Sequence, residues 1–311
     1  MKKQVHTFSL FIIYILAMLA GGHAGAQTAC NPNIAIRLLG SSSNIQTILQ
    51  NRLQPLAYDS SSHSLVFIHR NDVALFDGTS GQLRYDVSPD SGASWTNNEG
   101  LLNPITYATN PGRFPEAVIY NPGGSSDYKD DYLAYYAATT NGFVYNGYAS
   151  GSRQLDGAPN TEFVNQAGIS QNTYIPGGLC QGAPGVFWTA DAIYNYTTST
   201  YSGFRIFKGV WNGTDVVWSL NKELLPDFDL SYNGKPQVAD WNLAFDPSGM
   251  HGWLCVLTHL NGSAGYLQYR PVFYNTDDGG ATWNGPAALE LNSFPEIISI
   301  VEPGKFPATA Y

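Results

Sequence analysis

Two segments of this chain follow one pattern at widely separated positions. Residues 88–95 and residues 276–283 both read Ser/Thr-x-Asp-x-Gly-x-Ser/Thr-Trp. A short hydroxyl side chain and an Asp hydrogen-bond the backbone of a tight turn, Gly supplies a position with positive φ, and Trp offers a large apolar surface to the layer beneath. A corner that is built twice predicts a repeated β architecture. The matching residues are Ser88, Asp90, Gly92, Ser94 and Trp95 in the first segment, and Thr276, Asp278, Gly280, Thr282 and Trp283 in the second.

These two box segments resemble the Asp-box, the repeat of bacterial neuraminidases and of many other secreted β-propellers. The resemblance covers two windows of eight residues each. In that family the box is a structural corner between the two outer strands of a blade and lies away from the active site. The resemblance therefore implies an all-β propeller of four-stranded blades, and by itself it implies no sialidase chemistry. The alternative is a β-sandwich with two similar hairpins.

The spacing of the box segments agrees with a propeller. They begin 188 residues apart, and four blades of about 47 residues fill that interval at the ~40–50 residues typical of a propeller blade. Strand-like runs recur between turn clusters along the chain, and the runs at 64–69 and 73–76 are expected to pair. A strong hairpin signal stands at Asn141-Gly142. Residues 150–185 are polar and show little periodicity, which predicts a long loop.

The first 26 residues have the pattern of a secretory signal peptide. A basic start at Lys2 and Lys3 precedes an apolar run over 8–19 and a small-residue cleavage site at 24–26. We therefore expect a protein that is secreted or held at the cell surface. The apolar run is short for a membrane span, so no transmembrane segment is expected after signal removal. A retained membrane anchor and a lipidated Cys30 are the alternatives.

The mature chain is expected to form one main domain. Residues 27–60 are a lead-in, with a short helix predicted over 44–53, and residues 61–311 form a propeller of about five to six blades. A strand is predicted near the end, over 296–301. Because a propeller closes its ring to hide its sheet edges, the alternative is an incomplete ring, with the sequence being the front portion of a longer protein.

Composition and charge limit the partners of this chain. The net charge is −9, and it becomes −11 once Lys2 and Lys3 leave with the signal peptide. An acidic chain without a clustered basic surface lacks the electrostatic footprint of a nucleic-acid-binding protein. Only 13% of the residues are charged, while 32 Gly and 20 Tyr suit an all-β protein. The expected partner is a glycan or an extracellular protein.

Arg113 is the strongest catalytic candidate. Residues 112–115 are similar to the Arg-Ile-Pro motif of sialidases, whose Arg binds the substrate carboxylate, a role that the planar guanidinium suits. Here Phe114 replaces Ile, and the motif follows the first box segment, whereas in sialidases it normally precedes it. Asp130 and Asp131 are candidates for the acid. We favour the structural interpretation, in which Arg113 closes a blade turn and pairs with an acid.

No complete catalytic set is readable from the sequence. We therefore predict a propeller that binds glycan or protein ligands without assigned catalysis, and a sialidase-type glycoside hydrolase that uses Arg113 is the alternative. Tyrosines in polar segments, such as Tyr174, are well placed to stack on a sugar.

No cofactor is predicted for this chain. The alternative is a Ca²⁺ ion at Asp277 and Asp278, although the spaced acids of a full calcium loop are missing there. The sequence leaves open whether Cys180 and Cys255 form a disulfide or remain buried thiols.

Overall fold

The computed structural model describes residues 36–44, 50–157, 160–165, 172–228, 234, 237–260 and 269–289. The chain divides into two compact units, Met1–Leu38 and Leu39–Tyr311, and all regular elements described below lie in the second. They form four antiparallel sheets of four strands, each with its strands in chain order. The strands are β1 (Leu56–Tyr58), β2 (Leu65–Arg70), β3 (Leu83–Ser88) and β4 (Thr96–Glu99); β5 (Gly112–Tyr120), β6 (Tyr132–Asn141), β7 (Val144–Gln154) and β8 (Phe163–Asn165); β9 (Gly177–Gln181), β10 (Val186–Asn195), β11 (Thr200–Trp211) and β12 (Val216–Leu224); and β13 (Val238–Phe245), β14 (Gly252–Thr258), β15 (Arg270–Thr276) and β16 (Asn284–Ala288).

The sheets pack face to face through apolar layers, as the blades of a propeller do. In β6, Tyr135 packs toward the first sheet with Ile68, while Tyr136 packs toward the third sheet with Phe207. Successive side chains of a strand point to opposite faces, so a strand that is buried on both faces needs a continuous apolar run. A further layer centred on Trp188 joins the third sheet to the fourth. The predicted all-β propeller fold is thereby confirmed.

The sheets present two opposite ends to solvent. The first strands of successive sheets contact one another, β1 with β5, β5 with β9, and β9 with β13. We define the upper face as the end that carries the connections between the second and third strands and the segments leading into the first strands. The lower face carries the connections between first and second strands and between third and fourth strands. Both box segments follow a third strand, β3 or β15, and therefore lie on the lower face.

The two box segments adopt the same hydrogen-bonded turn. The Ser88 hydroxyl donates to Asp90 Oδ1 at 2.9 Å and accepts the Gly92 N–H at 2.8 Å, and Ser94 donates its N–H and its hydroxyl to the Asp90 carboxylate at 2.8 and 2.6 Å. The second segment repeats the pattern, and the hydrogen bonds from its second hydroxyl residue lower the pKa of its Asp to about 2. The equivalent residues are Thr276, Asp278, Gly280 and Thr282, with distances of 2.8, 2.9, 2.8 and 2.6 Å.

The Trp residues of the two box segments differ in their partners. Trp95 Nε1 donates back to the carbonyl of Gly92 in its own turn at 3.2 Å. Trp283 Nε1 instead donates to Asn221 Oδ1 of β12, also at 3.2 Å. The second box segment therefore joins two sheets, whereas this bond of the first segment is local.

The box segments are three sheets apart, not the four expected from their spacing. They occupy the same corner of the first and the fourth sheet. Each repeat is longer than the expected 47 residues, because the first strands of the four sheets begin at Leu56, Gly112, Gly177 and Val238, which are 56, 65 and 61 residues apart. The blade count of five to six stays a prediction, because residues 290–311 lie outside the described part of the chain.

Two secondary-structure predictions were wrong. Residues Val73–Phe76 form a one-turn helix, α1, instead of a strand, because the Asp72 carboxylate caps it by accepting the N–H of Ala74 at 3.0 Å. The polar stretch 150–185 is not one loop, since β7 continues into it and β8 and β9 lie within it. Some of its polar side chains form tertiary hydrogen bonds; for example, the Ser152 hydroxyl donates to Asp215 at 2.7 Å.

The remaining expectations concern the cysteines, membrane-spanning helices and residues outside the described part of the chain. Cys180 and Cys255 are both free thiols. Within the described part of the chain, no helix has the length and apolar character needed to cross a membrane. The signal peptide over 1–26, Cys30 and the strand predicted over 296–301 lie outside the described residues, as do residues 45–49 of the helix predicted over 44–53. Residues 50–53 of that predicted helix form a turn, in which the Leu53 N–H donates to the carbonyl of Gln50 at 3.1 Å.

Candidate functional site

The upper face carries a cavity of about 430 Å³ between the β6–β7 hairpin and the β10–β11 hairpin. The segment leading into β9 contributes to its wall. We call it the hairpin cavity. Its lining combines amide groups, which both donate and accept hydrogen bonds, with phenol rings, and includes no charged side chain. The lining residues are Asn141, Val144, Tyr145, Asn146, Asn172, Asn195, Tyr196 and Thr197.

Tyr145 links the hairpin cavity to a cluster of aromatic rings. Its ring centroid lies 5.7 Å from that of Tyr174 and 6.4 Å from that of Tyr196, both within the range of favourable aromatic pairs. Burial raises the pKa of the Tyr145 hydroxyl to about 12, with a further contribution from Tyr174. This hydroxyl is therefore protonated at neutral pH and acts as a hydrogen-bonding group.

Two arginines lie near Tyr145 and lack a carboxylate partner among the described residues. Arg113, at the start of β5, is half-buried and donates to the carbonyl of Gly112 at 2.9 Å. Arg70, at the end of β2, is buried and donates to Ser80 through Nε and Nη2 at 2.6 and 2.8 Å. Burial lowers the pKa of Arg70 to about 10, and the adjacent Arg113 charge adds to this effect. The two guanidinium groups form a positive site that favours an anion.

Arg52 lines a second cavity of about 310 Å³. Its Nη1 forms an ion pair with Asp240 Oδ1 at 3.1 Å, and its Cζ lies 4.0 Å from the Trp241 ring and 5.7 Å from the Tyr174 ring. We call this second space the β13 cavity. Its lining residues are Asn51, Arg52, Asp240, Trp241, Asn242, Cys255, Leu257, Pro271, Phe273 and Leu289.

Two fully buried carboxyl groups lie beneath the upper face. Glu116 of β5 accepts the N–H of Gln54 at 3.0 Å and that of Leu179 at 3.3 Å, which ties the first three sheets together. Asp191 of β10 accepts the N–H of Tyr174 at 2.7 Å and the hydroxyl of Tyr148. Burial raises the pKa of Glu116 to about 8 and that of Asp191 to about 6. Neither residue lines the hairpin cavity, so both act as structural hydrogen-bond acceptors.

The structure does not bring Asp130 and Asp131 to Arg113. Arg113 pairs with Ala138 at the upper end of the second sheet, whereas Asp131 precedes β6 at the lower end. Six to seven residues at ~3.3 Å each separate the two ends by roughly 20 Å. The Asp131 carboxylate instead accepts the hydroxyls of Ser62 and Ser64 at 2.6 and 2.7 Å, which joins the first two sheets.

The two Asp side chains considered as Ca²⁺ ligands, Asp277 and Asp278, have other hydrogen-bonding partners. Asp277 Oδ1 lies 3.0 Å from His251 Nδ1, and the Asp278 carboxylate is occupied by the box turn. Across the described residues, no group of three or more His, Cys, Asp or Glu side chains is arranged to hold a metal ion.

No protein-family model and no curated protein matches this sequence. Among solved structures, the chain is similar to a GH43 endo-arabinanase from Bacillus licheniformis, with a TM-score of 0.42 and 12% identity over 81% of this chain and 79% of the arabinanase. A xylan β-1,4-xylosidase from Bacillus halodurans C-125 has a TM-score of 0.37 and 12% identity over 82% of this chain and 46% of the xylosidase. An exo-β-1,3-galactanase from Phanerochaete chrysosporium has a TM-score of 0.39 and 11% identity over 83% and 54%. None of the three is named a sialidase, so the resemblance to the Asp-box family rests on the two box segments.

Sequence reasoning found part of this site and missed part. Tyr174 was singled out for its polar surroundings, and the Asn141-Gly142 hairpin forms as expected, with Gly142 at φ +63°. Arg52 and Arg70 were missed, because they come from a lead-in and from a strand end that carry no motif. One available signal was the pair of hairpin ends that each combine Asn with Tyr, at 141–146 and 195–196.

Proposed function

We propose that this protein is an exported β-propeller that binds a glycan in the hairpin cavity and has no assigned catalytic role. The observation that carries this proposal is the cavity lining, in which four Asn and two Tyr surround about 430 Å³. Amides hydrogen-bond sugar hydroxyls, and aromatic rings pack against the apolar face of a sugar. The volume lies within the ~300–1,000 Å³ of typical small-ligand sites, which favours a glycan unit over a protein surface.

The arginine pair beside Tyr145 extends this proposal to acidic sugars. Arg70 is buried and Arg113 is half-buried, and no described carboxylate lies within ion-pair distance of either. An anionic substituent on a sugar would compensate the positive charge of these two arginines, because a planar guanidinium binds carboxylate or sulfate oxygens through two hydrogen bonds. We therefore expect acidic glycans to bind more tightly than neutral ones of the same length.

A sialidase-type hydrolase is the second candidate. It is favoured by the three arginines, Arg52, Arg70 and Arg113, whose charges all act on Tyr145. Hydrolysis of a glycoside normally requires two carboxyl groups that reach the scissile bond. Glu116 and Asp191, the two carboxyl groups beneath the upper face described above, are fully buried and do not line the cavity. The binding function is therefore the one that we prefer.

Glycan binding is tested by screening the mature protein on an array of acidic and neutral glycans. The variant Tyr145→Ala is expected to lose binding, because it removes a ring from the cavity wall. Tyr58→Ala is the matched control, since Tyr58 lies on β1 away from the cavity and is already 53% exposed. Binding that is absent from the wild type, or that survives in Tyr145→Ala, would contradict the proposal.

Hydrolysis is tested with a fluorogenic sialoside, with Arg113→Ala as the comparison. Release of the fluorophore by the wild type and its loss in the variant would replace the binding-only function by the hydrolase. No release by either protein, together with binding on the array, is the expected result.

A further inference from the structure

We infer that Asp191 and Arg205 position one wall of the hairpin cavity by holding the backbone of residues 172–174, and that ligand binding weakens when Asp191 takes up a proton. The inference rests on the proposed glycan-binding function and adds a control by pH to it. The two side chains lie directly opposite each other in the β10–β11 ladder, and both are buried. They are positioning residues, since neither lines the cavity.

Asn172 contributes a polar side chain to the cavity wall from a backbone conformation that needs support. Its φ of +68° lies in the left-handed region, which is unfavourable for residues other than Gly, although Asn tolerates it better than most. Its carbonyl accepts two hydrogen bonds, from Arg205 Nη1 at 3.2 Å and from the N–H of Tyr194 at 2.9 Å. Arg205 is held in turn by Glu223, whose Oε1 lies 2.9 Å from Nε. These bonds fix the backbone from which the Asn172 amide reaches the cavity.

Tyr174 is held by the Asp191 carboxylate. Oδ2 accepts the N–H of Tyr174 at 2.7 Å and the hydroxyl of Tyr148, and Oδ1 accepts the N–H of Ala192 at 2.8 Å. The Tyr174 ring packs edge-on against the ring of Tyr145, which lines the cavity. One buried carboxylate therefore holds the backbone that places a supporting ring behind Tyr145.

A proton on Asp191 disturbs this arrangement. Both carboxylate oxygens receive hydrogen bonds from donors, so an added proton faces a donor unless the Tyr148 hydroxyl turns to accept it. The neutral carboxyl group is also a weaker acceptor for the N–H of Tyr174 than the carboxylate is. Burial raises the pKa of Asp191 to about 6, although the hydrogen bonds from Tyr148 and Tyr174 act in the opposite direction. The change in charge therefore occurs in weakly acidic solution.

The titratable groups around Asp191 come from the lead-in, from β6 and β7, from the end of β10 and from β11. The two arginines among them favour the ionised form of Asp191. Burial raises the pKa of each of the three tyrosine hydroxyls, so these keep their protons while Asp191 titrates. The surrounding groups are Arg52, Tyr136, Tyr148, Tyr196 and Arg205.

Affinity measured against pH by titration calorimetry tests the inference. The probe is a sulfated galactose disaccharide, because a sulfate group keeps its charge throughout the range. Wild-type affinity is expected to fall by roughly three- to tenfold from about pH 7.5 to about pH 5, the difference between a charge-assisted and a neutral hydrogen bond. It falls because only molecules whose wall has the binding conformation take up ligand. Asp191→Asn, which keeps an acceptor oxygen without the charge, is expected to have the weakened affinity at every pH.

Asp215→Asn is the matched control. Asp215 is also a buried carboxylate whose pKa is raised by burial, but it accepts the Ser152 hydroxyl at the lower face. This variant is expected to bind the probe with the affinity and the pH profile of the wild type. Thermal unfolding at each pH checks that both variants are folded. The wild-type profile needs no variant, so it remains decisive if Asp191→Asn does not fold.

Hydrogen exchange followed by mass spectrometry tests the hold on the segment without a ligand. The amide of Tyr174 is expected to exchange faster in Asp191→Asn than in the wild type or in Asp215→Asn at the same pH, since its acceptor is weakened. Unaltered exchange in a folded Asp191→Asn, a wild-type affinity that does not fall on acidification, or a fall that persists in Asp191→Asn overturns the inference alone. No binding of the probe or of any array glycan by the wild type overturns the proposed function as well.

Discussion

Replacing Gly280 with Ala is expected to destabilise the protein more than the same change at Gly92. The two glycines occupy equivalent positions of the two box segments, with φ of +83° and +90°. Both variants therefore force an Ala into a left-handed backbone, which costs roughly 1–2 kcal/mol. The surroundings differ: a Cβ at Gly280 would lie 2.3 Å from Trp188 Cη2, whereas at Gly92 the nearest atom is Leu65 Cδ1 at 3.3 Å.

The additional cost at Gly280 follows from the packing of Trp188. This ring is fully buried and stacks on Phe245 with a centroid distance of 4.3 Å, so it has no space into which to withdraw. Overpacking of a filled core costs about 1–3 kcal/mol. The expected loss of unfolding free energy is thus about 2–5 kcal/mol for Gly280→Ala and about 1–2 kcal/mol for Gly92→Ala, where Leu65 is half-buried and yields.

Urea unfolding followed by tryptophan fluorescence and by circular dichroism measures this difference. Both variants should show the native dichroism spectrum before urea is added, and the midpoint of Gly280→Ala should lie below that of Gly92→Ala with similar slopes. Equal midpoints would refute the reasoning, because they would mean that the Trp188 ring does not limit the space above the second box segment. A lower midpoint for Gly92→Ala would refute it more strongly.

Two further predictions concern charge. The pKa of Glu116 in the folded protein, about 8, lies above its ordinary value of 4.5, so the unfolded chain loses this proton first as the pH rises. The free energy of unfolding should therefore fall between about pH 4.5 and pH 8. The fall is at most about 1.4 kcal/mol for each tenfold difference between the acid constants of the folded and unfolded states. Urea unfolding measured across this pH range should show a flatter dependence for Glu116→Gln than for the wild type. Arg113→Ala and Arg70→Ala should each weaken the binding of acidic glycans by roughly tenfold, the effect of losing a charge-assisted hydrogen bond, and leave neutral glycans unaffected in calorimetry.

Each of these predictions has an outcome that contradicts it. A pH dependence that persists unchanged in Glu116→Gln would assign the effect to another group. Equal weakening of neutral and acidic ligands in the arginine variants would show a structural effect without charge recognition.

The turns of this protein could be predicted from the sequence because they are local. In each box turn the hydroxyl and Asp side chains form hydrogen bonds within the same eight residues, and the turn after Asn141 depends on the positive φ of Gly142. Such patterns act over a few residues, so they are readable wherever they occur. The alternation and turn spacing that predict strands are local in the same sense, and they led to the all-β propeller.

The number of sheets between the box segments could not be read in this way. The length of each repeat depends on its connections, such as residues 100–111 between β4 and β5 and residues 121–131 between β5 and β6. Nor does the sequence show where a polar run forms a strand: at the polar end of β7, the Ser152 hydroxyl donates to Asp215, which precedes β12 of the third sheet. A polar run without its partner is indistinguishable from a loop. Val73–Phe76 was also not predictable from composition, because capping of the helix by Asp72 outweighed the strand-like composition of these residues.

The sequence alone determined that this chain folds into β-sheets with two equivalent corners on one face. Only the tertiary structure decided where a ligand can bind. Arg52, Arg70 and Arg113 come from three separate stretches of chain, and they meet near Tyr145 because the upper ends of the sheets converge there. Convergence depends on strand register and on the packing of one sheet against the next, and these are long-range properties that no short motif encodes.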